Sequence, residues 1–315
     1  MDIASPEIAV SIHNLTRKFK SFTAVDHVSF DVLKGEIFGF LGPNGAGKTT
    51  TINMICGLLP STEGSVGFHR SDTLSNIKSY IGYCPQDNIF FPRLTCLEQL
   101  VFMGEMYGIQ HRIAMAGSQD LLDRIGLKDK RNVLAGRLSG GMKRRLSICL
   151  ALVHNPEILI LDEPEAGLDP QSRILVRDFI KSFRGKRTIL LTTHNMDEAD
   201  RLADRIAVID YGKLLLLDTP ENLKKTIGEG DLLEIYCNTN DLEKAATAMN
   251  SLLGMSQHTV LKENSLIIKS KQLIDRIPAI VELLRKEYID IDVIKIRENT
   301  LEDVFIHLTG RNLRE

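Results

Sequence analysis

The sequence lacks any apolar run long enough to cross a lipid bilayer. Its richest apolar runs, residues 158–161 and 214–217, have the length of strands, and each is followed by an aspartate. A membrane-spanning helix needs about 18 or more consecutive apolar residues. The N-terminal residues MDIASPEIAV also lack the basic and apolar segments of a secretory signal. We therefore expect no membrane span and no secretory leader.

Cysteine is scarce, and tryptophan is absent. The five cysteines are widely spaced and form no CxxC pair: Cys56, Cys84, Cys96, Cys149 and Cys237. An odd and scattered set of this kind excludes a stapled disulfide scaffold and indicates buried or free thiols in a reducing compartment. We expect a cytoplasmic protein.

An excess of charge of either sign is also missing. The chain has 39 Lys and Arg against 41 Asp and Glu, which gives a net charge of −2. It therefore has no overall electrostatic attraction for nucleic acid or for an anionic membrane, and we expect no nucleic-acid partner. Any binding of phosphate groups has to come from a local arrangement of residues.

The length of 315 residues predicts about two domains, each with its own core. The first part of the chain alternates helical stretches with continuous apolar runs, which are typical of strands buried on both faces. These runs are residues 37–41, 158–161, 188–191 and 206–209. Residues 8–15 and 24–32 instead alternate apolar and polar side chains, which predicts a half-exposed antiparallel sheet. Residues 97–132 are predicted to be helical, with Gly126 ending one helix.

The pattern changes after Pro220. Residues 232–237, 259–261, 266–269 and 292–296 are predicted as strands, residues 241–253 and 273–287 as helices, and residues 262–265 as a turn. This βαββαβ order is that of a small ferredoxin-like α+β domain, followed by an amphipathic helix over residues 301–308. Because Pro220, Gly228 and Gly230 cluster at the change, we assign residues 1–225 to one domain and residues 226–315 to the other.

A glycine-rich loop follows the apolar run of residues 37–41. The loop matches the pattern GxxxxGK[ST] through Gly42, Gly47, Lys48 and Thr49, and a helical stretch comes next. In this order of strand, loop and helix, backbone N–H groups and the helix N-terminus can surround phosphate groups. The lysine then reaches the β- and γ-phosphate oxygens, and the threonine hydroxyl can bind Mg²⁺. The loop therefore predicts a nucleoside triphosphate site.

Two further segments point to phosphate and metal chemistry. Ser139, Gly140 and Gly141 precede a helical stretch, so that a serine N-cap and uncovered backbone N–H groups can bind a second phosphate. Asp162 and Glu163 end a buried strand, where α/β sheets bind ligands. One carboxylate can bind Mg²⁺ and the other can polarise a water molecule.

Together these residues resemble the nucleotide-binding subunits of ATP-binding cassette (ABC) transporters over residues 8–225. Glu163 matches the catalytic base, His194 in LTTHNMDEAD the switch histidine, and Gln86 in GYCPQDN the Q-loop glutamine. Residues 138–141 match the family signature, and residues 166–169 match the D-loop, which ends at Asp169. Phe19 matches the aromatic residue that stacks on adenine. The Walker A residues are Gly42, Pro43, Asn44, Gly45, Ala46, Gly47, Lys48, Thr49 and Thr50.

The resemblance implies a P-loop NTPase core of the ABC ATPase type, with an antiparallel β subdomain and a helical subdomain, in front of the ferredoxin-like domain. It implies ATP and Mg²⁺ as cofactors. Lys48, Gln86, Glu163 and His194 are the implied catalytic residues, and Thr49, Gln86 and Asp162 the implied metal ligands. Ser139, Gly140, Gly141 and Asp169 would bind the nucleotide together with Phe19 and the Walker A loop.

The sequence departs from the family pattern at three positions, none of which carries a catalytic group. Glu165 stands where Thr or Ser is usual, Phe19 replaces the commoner Tyr, and Met142 follows the signature where Gln is frequent. The segments GGMKRRLSICLALVHNPEILILDEP and ENTLEDVFIHLTGRNLRE resemble exporter ATPases of the daunorubicin-resistance type and their relatives, which include the eukaryotic lipid exporters.

The family resemblance implies a head-to-tail dimer, a homodimer or a pair with a sister ATPase, which holds two ATP molecules. Each ATP would lie between residues 42–50 of one chain and Ser139, Gly140 and Gly141 of the other. A separate transmembrane permease would dock on the ATPase at the cytoplasmic face of the membrane. Residues 88–95 (NIFFPRLT) form the candidate docking segment. In the competing interpretation, Phe90 and Phe91 belong to the core.

Other functions remain open at this stage. Many ABC importer ATPases also carry a C-terminal regulatory domain, and a small oligonucleotide-type β-barrel in that position would favour an importer. A chromosome-maintenance or repair ATPase would need a long coiled coil between Lys48 and Ser139, and this interval is too short and lacks heptads. A translation-factor relative would carry two cassettes, and a non-catalytic module would lack Glu163 or His194.

Overall fold

The computed structural model describes residues 7–69, 79–226, 231–238, 241–253, 259–262, 265–270 and 273–309. These residues form two compact units, one that ends at Pro220 and a second that begins at Glu221. Gly228 and Gly230, the two middle residues of the predicted turn at 262–265, and the last residues of the closing segment lie outside the described ranges.

In the part of the chain that the structure describes, the first unit has nine strands. They are β1 (Ile8–Phe19), β2 (Phe22–Leu33), β3 (Ile37–Leu41), β4 (Glu63–Phe68), β5 (Ile81–Cys84), β6 (Ile158–Asp162), β7 (Thr188–Thr193), β8 (Arg205–Asp210) and β9 (Lys213–Asp218). The described helices of this unit are α1 (Lys48–Ile55), α2 (Cys96–Met106), α3 (His111–Arg124), α4 (Gly140–Leu152), α5 (Pro170–Lys181) and α6 (Met196–Leu202). Helix α7 (Pro220–Thr226) begins at the last residue before the boundary, and its other residues belong to the second unit. Short 3₁₀ turns cover Lys128–Lys130 and Ala135–Arg137.

A six-stranded sheet in the order β5-β6-β7-β3-β8-β9 forms the centre of this unit. All its neighbouring strands are parallel except β8 and β9. Every residue of β3, β6 and β7 is buried. Because side chains alternate along a strand, Leu159 and Leu161 pack into one hydrophobic cluster while Ile158 and Ile160 pack into another. The continuous apolar runs are thus confirmed as strands buried on both faces.

The predicted antiparallel sheet is present in the order β2-β1-β4. β1 is half-buried, with buried positions such as Val10, Ile12 and Leu15 interspersed with partly or fully exposed ones. The helical stretch of residues 97–132 is confirmed as α2, α3 and a 3₁₀ turn. Thr95 caps α2 in a capping box with Glu98. Gly126 has a φ of +72°, and it follows the C-cap residue of α3, as expected for a glycine that ends a helix.

The second unit has the predicted βαββαβ order. Its elements are β10 (Asp231–Cys237), α8 (Leu242–Leu253), β11 (Thr259–Lys262), β12 (Ser265–Ser270), α9 (Leu273–Lys286), β13 (Ile291–Arg297) and α10 (Leu301–Thr309). The strands form an antiparallel sheet in the order β11-β12-β10-β13, the ferredoxin-like arrangement. Its core joins sheet residues such as Leu233 and Ile235 with Ala245, Ile280 and Leu284 of the helices.

Over the described ranges, no helix combines the length and apolarity needed to cross a bilayer. The five cysteines carry free thiols, and only Cys56 is more than slightly exposed.

Candidate functional site

The glycine-rich loop connects β3 to α1, and two of its glycines are required by their surroundings. A Cβ at Gly42 would lie 2.3 Å from the carbonyl oxygen of Ile209. Gly47 has a φ of +102°, and a Cβ there would lie 2.6 Å from the carbonyl oxygen of Ala24. The Lys48 ammonium turns into the loop and donates to the carbonyl oxygens of Gly42 at 2.7 Å and Pro43 at 3.1 Å. Because a Cβ at Gly42 or Gly47 would clash with backbone, the tight turn of this loop requires glycine at both positions.

The acidic strand end lies beside this loop. Strands β3, β6 and β7 run parallel, so their C-terminal ends meet at the same edge of the sheet. Asp162 is the last residue of β6 and is fully buried. Its Oδ2 accepts a 2.9 Å hydrogen bond from Thr49 in the first turn of α1, and its Oδ1 accepts one from Thr192 of β7. The two predicted metal ligands Thr49 and Asp162 are thus in contact.

The carboxylate of Glu163 lies where three other predicted catalytic side chains meet. Oε1 is 3.1 Å from Nδ1 of His194 and 3.5 Å from Nζ of Lys48. Oε2 is 3.3 Å from Nε2 of Gln86. The Glu163 side chain is only 7% exposed, whereas that of His194 is 47% exposed. The structure therefore brings together residues from four separate segments of the chain around one carboxylate.

Burial and charge act in opposite directions on Lys48. Its side chain is 5% exposed, and this desolvation lowers the pKa of Lys48. The neighbouring carboxylates of Glu163 and Asp162 act to raise it. The ammonium therefore lies in a poorly hydrated position between loop carbonyls and carboxylates, where an anionic ligand would be attracted.

The loop that carries His194 is fixed by a buried glutamate. Glu198 Oε2 accepts a 2.5 Å hydrogen bond from the hydroxyl of Thr193, and that hydroxyl oxygen in turn accepts the Asn195 backbone N–H at 2.9 Å. Asn195 caps α6 by accepting the Glu198 backbone N–H. Burial raises the pKa of Glu198 to about 8, and the nearby carboxylates of Glu165 and Glu163 add to this shift.

The signature residues lie at a different helix start. Ser139 caps α4 and accepts the backbone N–H of Met142 at 3.3 Å. Ser139 and Gly140 are exposed, while Gly141 is buried so close to α5 that a Cβ would lie 2.6 Å from Ser172 Oγ. Among the described residues, no hydrogen bond or ion pair joins Ser139, Gly140 or Gly141 to residues 42–50 of the same chain.

Asp169, the last residue of the D-loop, caps α5. Its Oδ1 accepts the Ser172 backbone N–H at 2.9 Å, and this hydrogen bond lowers the pKa of the exposed Asp169 carboxyl. Phe19 ends β1 and is 43% exposed, with the Arg17 guanidinium 4.6 Å from its ring centroid. A ring that stacks on a base has to be accessible in this way.

Two of the departures from the family pattern have a structural explanation. Glu165 is 4% exposed and forms a bidentate ion pair with Arg177 of α5, with distances of 3.0 and 2.7 Å. This hydrogen bonding raises the pKa of Arg177. Met142 packs against the hydrophobic cluster beside the sheet.

The residues fit a Mg²⁺-nucleotide. Mg²⁺ binds oxygen, and in nucleotide sites it takes one or two protein ligands together with phosphate oxygens and water. The Thr49 hydroxyl and the Asp162 carboxylate provide such a pair beside the phosphate-binding loop. Gln86, the third predicted ligand, directs its amide nitrogen to Glu163. Gly45 has open space at the position of a Cβ, which leaves its backbone accessible to a phosphate group.

Three supporting residues escaped prediction from sequence. Thr192 binds Asp162, Glu198 binds the loop before His194, and Arg144 on α4 binds backbone carbonyls next to Glu163. A threonine inside a strand, a glutamate in a helix and one of two adjacent arginines give no local signal of such contacts. They could be found only from the tertiary structure.

The chain is similar to known proteins along nearly its whole length. A family model described as ABC transporter matches residues 25–166. Over 307 residues the chain is 35% identical to the linearmycin resistance ATP-binding protein LnrL of Bacillus subtilis (strain 168). This alignment covers 96% of this chain and 98% of that protein. Over 318 residues it is 36% identical to the Nod factor export ATP-binding protein I of Burkholderia lata. This alignment covers 98% of this chain and 100% of that protein.

Other matches are to parts of larger proteins or to single cassettes. The chain spans only 10% to 18% of several much longer relatives. Among solved structures, a dimeric ATP-binding cassette in a post-hydrolysis state, bound to ADP and Pi, matches with a TM-score of 0.60 and 25% identity. That match covers 67% of this chain and 98% of the other.

Proposed function

Because the chain belongs to the ATP-binding subunits of ABC transporters, a family of ATP hydrolases, we propose that it energises export through a separate membrane permease. The names of the two relatives that align over their whole length support this proposal, since they refer to linearmycin resistance and to Nod factor export. The observation that carries the hydrolysis of ATP in this proposal is the meeting of Lys48, Gln86 and His194 at the Glu163 carboxylate.

In the proposed reaction, Glu163 accepts a hydrogen bond from the attacking water and orients it toward the γ-phosphate. Lys48 and the backbone N–H groups of residues 42–50 bind the phosphate oxygens, and His194 binds the γ-phosphate. Thr49 and Asp162 would hold Mg²⁺, with Gln86 as a further ligand, and the metal would supply positive charge that neutralises the phosphate oxygens. Phe19 stacks on the adenine.

The second half of each site comes from another copy of the chain or from a sister ATPase. Ser139 and Gly140 are exposed at the start of α4, where backbone N–H groups can bind a phosphate. We place ATP between this helix start of one chain and residues 42–50 of the other, with Asp169 at the same junction. Such a dimer closes when the γ-phosphate is present and opens after hydrolysis.

The permease docks on an exposed apolar surface next to Gln86, on the cytoplasmic face of the membrane. We call this surface the docking patch, and it consists of Ile89, Phe91, Phe102 and Met106. The rings of Phe91 and Phe102 meet edge to face with centroids 5.8 Å apart. The neighbouring Phe90 is instead partly buried against the core, with Lys143 Nζ 5.5 Å from its ring. An exposed patch of this composition suits a partner helix.

The C-terminal unit bears on the importer alternative. A small β-barrel there would favour an importer, whereas the described residues form an open four-stranded sheet with helices. Its fold therefore gives no support to that alternative.

The experiment is a comparison of ATP turnover in Glu163→Gln and Glu157→Gln. Both glutamates flank β6, but Glu157 is exposed at the opposite end of the strand. We expect Glu163→Gln to lower kcat by about 100-fold or more, the scale of a lost general base, with nucleotide binding retained. Glu157→Gln should keep kcat within about twofold of the wild type. A Glu163→Gln variant that hydrolyses ATP at the wild-type rate would contradict the proposed role.

A further inference from the structure

Arg144 on α4 uses all its hydrogen-bonding capacity on backbone carbonyls next to the catalytic residues. The side chain is buried, and the residue is 3% exposed. Nε donates to the carbonyl oxygen of Pro164, Nη1 to those of Pro85 and Gln86, and Nη2 to those of Asp162 and Glu163. A guanidinium has five N–H groups, and here each of them has its own carbonyl acceptor.

Only arginine can make this set of contacts. Its five donors lie in one rigid plane, whereas a lysine ammonium has three donors at a single point. A lysine at this position could donate to at most three of the five carbonyl oxygens, so at least two would lose the hydrogen bond that Arg144 provides, each at a cost in free energy. The arrangement is therefore specific to the guanidinium group and not merely to a positive charge.

The acceptors of Arg144 belong to two segments that carry catalytic side chains. Pro85 and Gln86 lie one residue before the docking segment, residues 88–95, while Asp162 ends β6 and Glu163 and Pro164 follow it. The same side chain thus joins the loop that leads to the docking patch with the loop that carries the proposed base. Its helix, α4, begins at the signature serine.

The backbone of Glu163 needs this support. Its φ is +48°, in the left-handed region that non-glycine residues rarely adopt. Such a conformation persists only where the surroundings enforce it. On one side, the Glu163 N–H is held by the carbonyl and hydroxyl oxygens of Thr192, at 3.2 and 3.0 Å. On the other side, the Glu163 carbonyl is held by Arg144 at 3.0 Å.

We propose that Arg144 is a positioning residue that locks the loop of Gln86 to the end of β6 and so sets the position of the Glu163 carboxylate. This inference rests on the proposed function, in which Glu163 orients the attacking water. Because both loops share one guanidinium, a displacement of the Gln86 loop by a bound permease changes the hydrogen bonds that hold Glu163. The permease can act on hydrolysis by this route.

The test uses Arg144→Lys, which keeps the charge, and Arg144→Met. The control is Arg187→Lys, because the Arg187 guanidinium also donates to a backbone carbonyl, that of Pro156, but at the opposite end of the sheet.

ATP affinity is measured by calorimetry, and single-turnover hydrolysis is expressed per bound nucleotide. Misfolded protein, which binds no nucleotide, therefore does not affect the measured rate. We expect Arg144→Lys to bind ATP within about threefold of the wild type and to hydrolyse it tenfold or more slowly, as misplacement of a reacting group predicts. Arg187→Lys should hydrolyse ATP within about twofold of the wild-type rate.

A mutant cycle with Gln86→Ala separates positioning from general stability. If Arg144 acts on Glu163 partly through the Gln86 loop, the two substitutions do not act independently. The fold decrease in kcat of the double variant is then smaller than the product of the fold decreases of Arg144→Lys and Gln86→Ala alone. Equal hydrolysis rates for Arg144→Lys and Arg187→Lys, or fully multiplicative effects in the cycle, would overturn the proposal. If Glu163→Gln itself left hydrolysis unchanged, the proposed function would fail instead, so the two failures are distinguishable.

Discussion

Thr192 of β7 donates a hydrogen bond from its hydroxyl to Oδ1 of Asp162, its partner in the last residue pair between β6 and β7. Asp162 is fully buried, and its second oxygen is bound by Thr49. Two hydroxyl groups thus fix the orientation of the carboxylate that we assign to Mg²⁺. Thr49 is itself a proposed ligand, whereas Thr192 is not, so the Thr192 hydroxyl would contribute to metal affinity only by orienting Asp162.

We predict that Thr192→Val weakens Mg²⁺ binding. The substitution keeps the shape of the side chain and removes the hydroxyl, and loss of an orienting partner typically costs 10- to 100-fold in metal affinity. The measurement is the Mg²⁺ concentration that supports half-maximal ATP hydrolysis. Thr188→Val is the control, because Thr188 lies on the same strand and binds the Gly35 backbone N–H away from Asp162. An equal Mg²⁺ requirement in both variants would argue against the role of Thr192.

The ion pair between the buried Glu165 and the partly buried Arg177 predicts a stability effect. Glu165→Ala leaves the Arg177 guanidinium, whose side chain is 15% exposed, without its bidentate partner, so it should lower the free energy of unfolding by about 1–3 kcal/mol. The double variant Glu165→Met/Arg177→Met should recover most of this loss, because well-packed apolar side chains often replace a buried ion pair at little cost. Urea unfolding of the three proteins tests this. If the double variant is less stable than the single one, the ion pair is not the source of the effect.

The raised pKa of Glu198 predicts a pH dependence of stability. Its pKa rises from 4.5 to about 8 on folding, so between these values the folded protein keeps a proton that the unfolded chain releases. The contribution of this proton to the free energy of unfolding is fully present below pH 4.5 and is lost as the pH rises toward about 8. The loss is at most about 1.4 kcal/mol per pH unit. Glu198→Gln cannot ionise and lacks this loss. Chemical denaturation should therefore show that the free energy of unfolding of Glu198→Gln rises relative to that of the wild type from pH 5 to pH 8. A difference between the two that stays constant over this range would refute the prediction.

The docking patch predicts a variant that separates hydrolysis from coupling. Phe91→Glu places a charge on an exposed ring position outside the ATP site, so basal hydrolysis and thermal stability should change little. Association with the permease should be lost, because a charge in the apolar centre of an interface has to be desolvated. Co-purification of the permease from native membranes measures this, with Tyr288→Glu, at an exposed ring of the other unit, as the control. Normal co-purification of the Phe91→Glu variant would exclude the patch as the docking surface.

Much of the fold could be predicted because local patterns determine it. The apolar run of residues 158–161 predicted β6, which the structure extends by one residue to Asp162. Gly126 and Ser139 were recognisable as a helix end and a helix start from single residues and their neighbours. The order of strands in the C-terminal unit followed from a known arrangement of the same elements.

The supporting contacts of the site could not be predicted, because they join residues distant in sequence. Arg144 binds the carbonyl of Pro85, which is 59 positions away, and that of Asp162, which is 18 positions away. Backbone carbonyls carry no sequence signal, so the five acceptors appear only when the loops are folded. The motifs therefore indicated Glu163 and Gln86, whereas the residue that holds them in place needed the structure.

The most direct measurement is the mass of the Glu163→Gln variant by light scattering, with and without ATP and Mg²⁺. If residues 42–50 of one chain and the helix start at Ser139 of another bind the same triphosphate, the variant is a dimer with ATP and a monomer without it. The dimer persists with ATP because the blocked hydrolysis keeps the γ-phosphate in place. Adding Ser139→Arg should abolish the dimer while ATP still binds to residues 42–50. A monomer at saturating ATP, or a dimer that tolerates the arginine, would contradict the shared site.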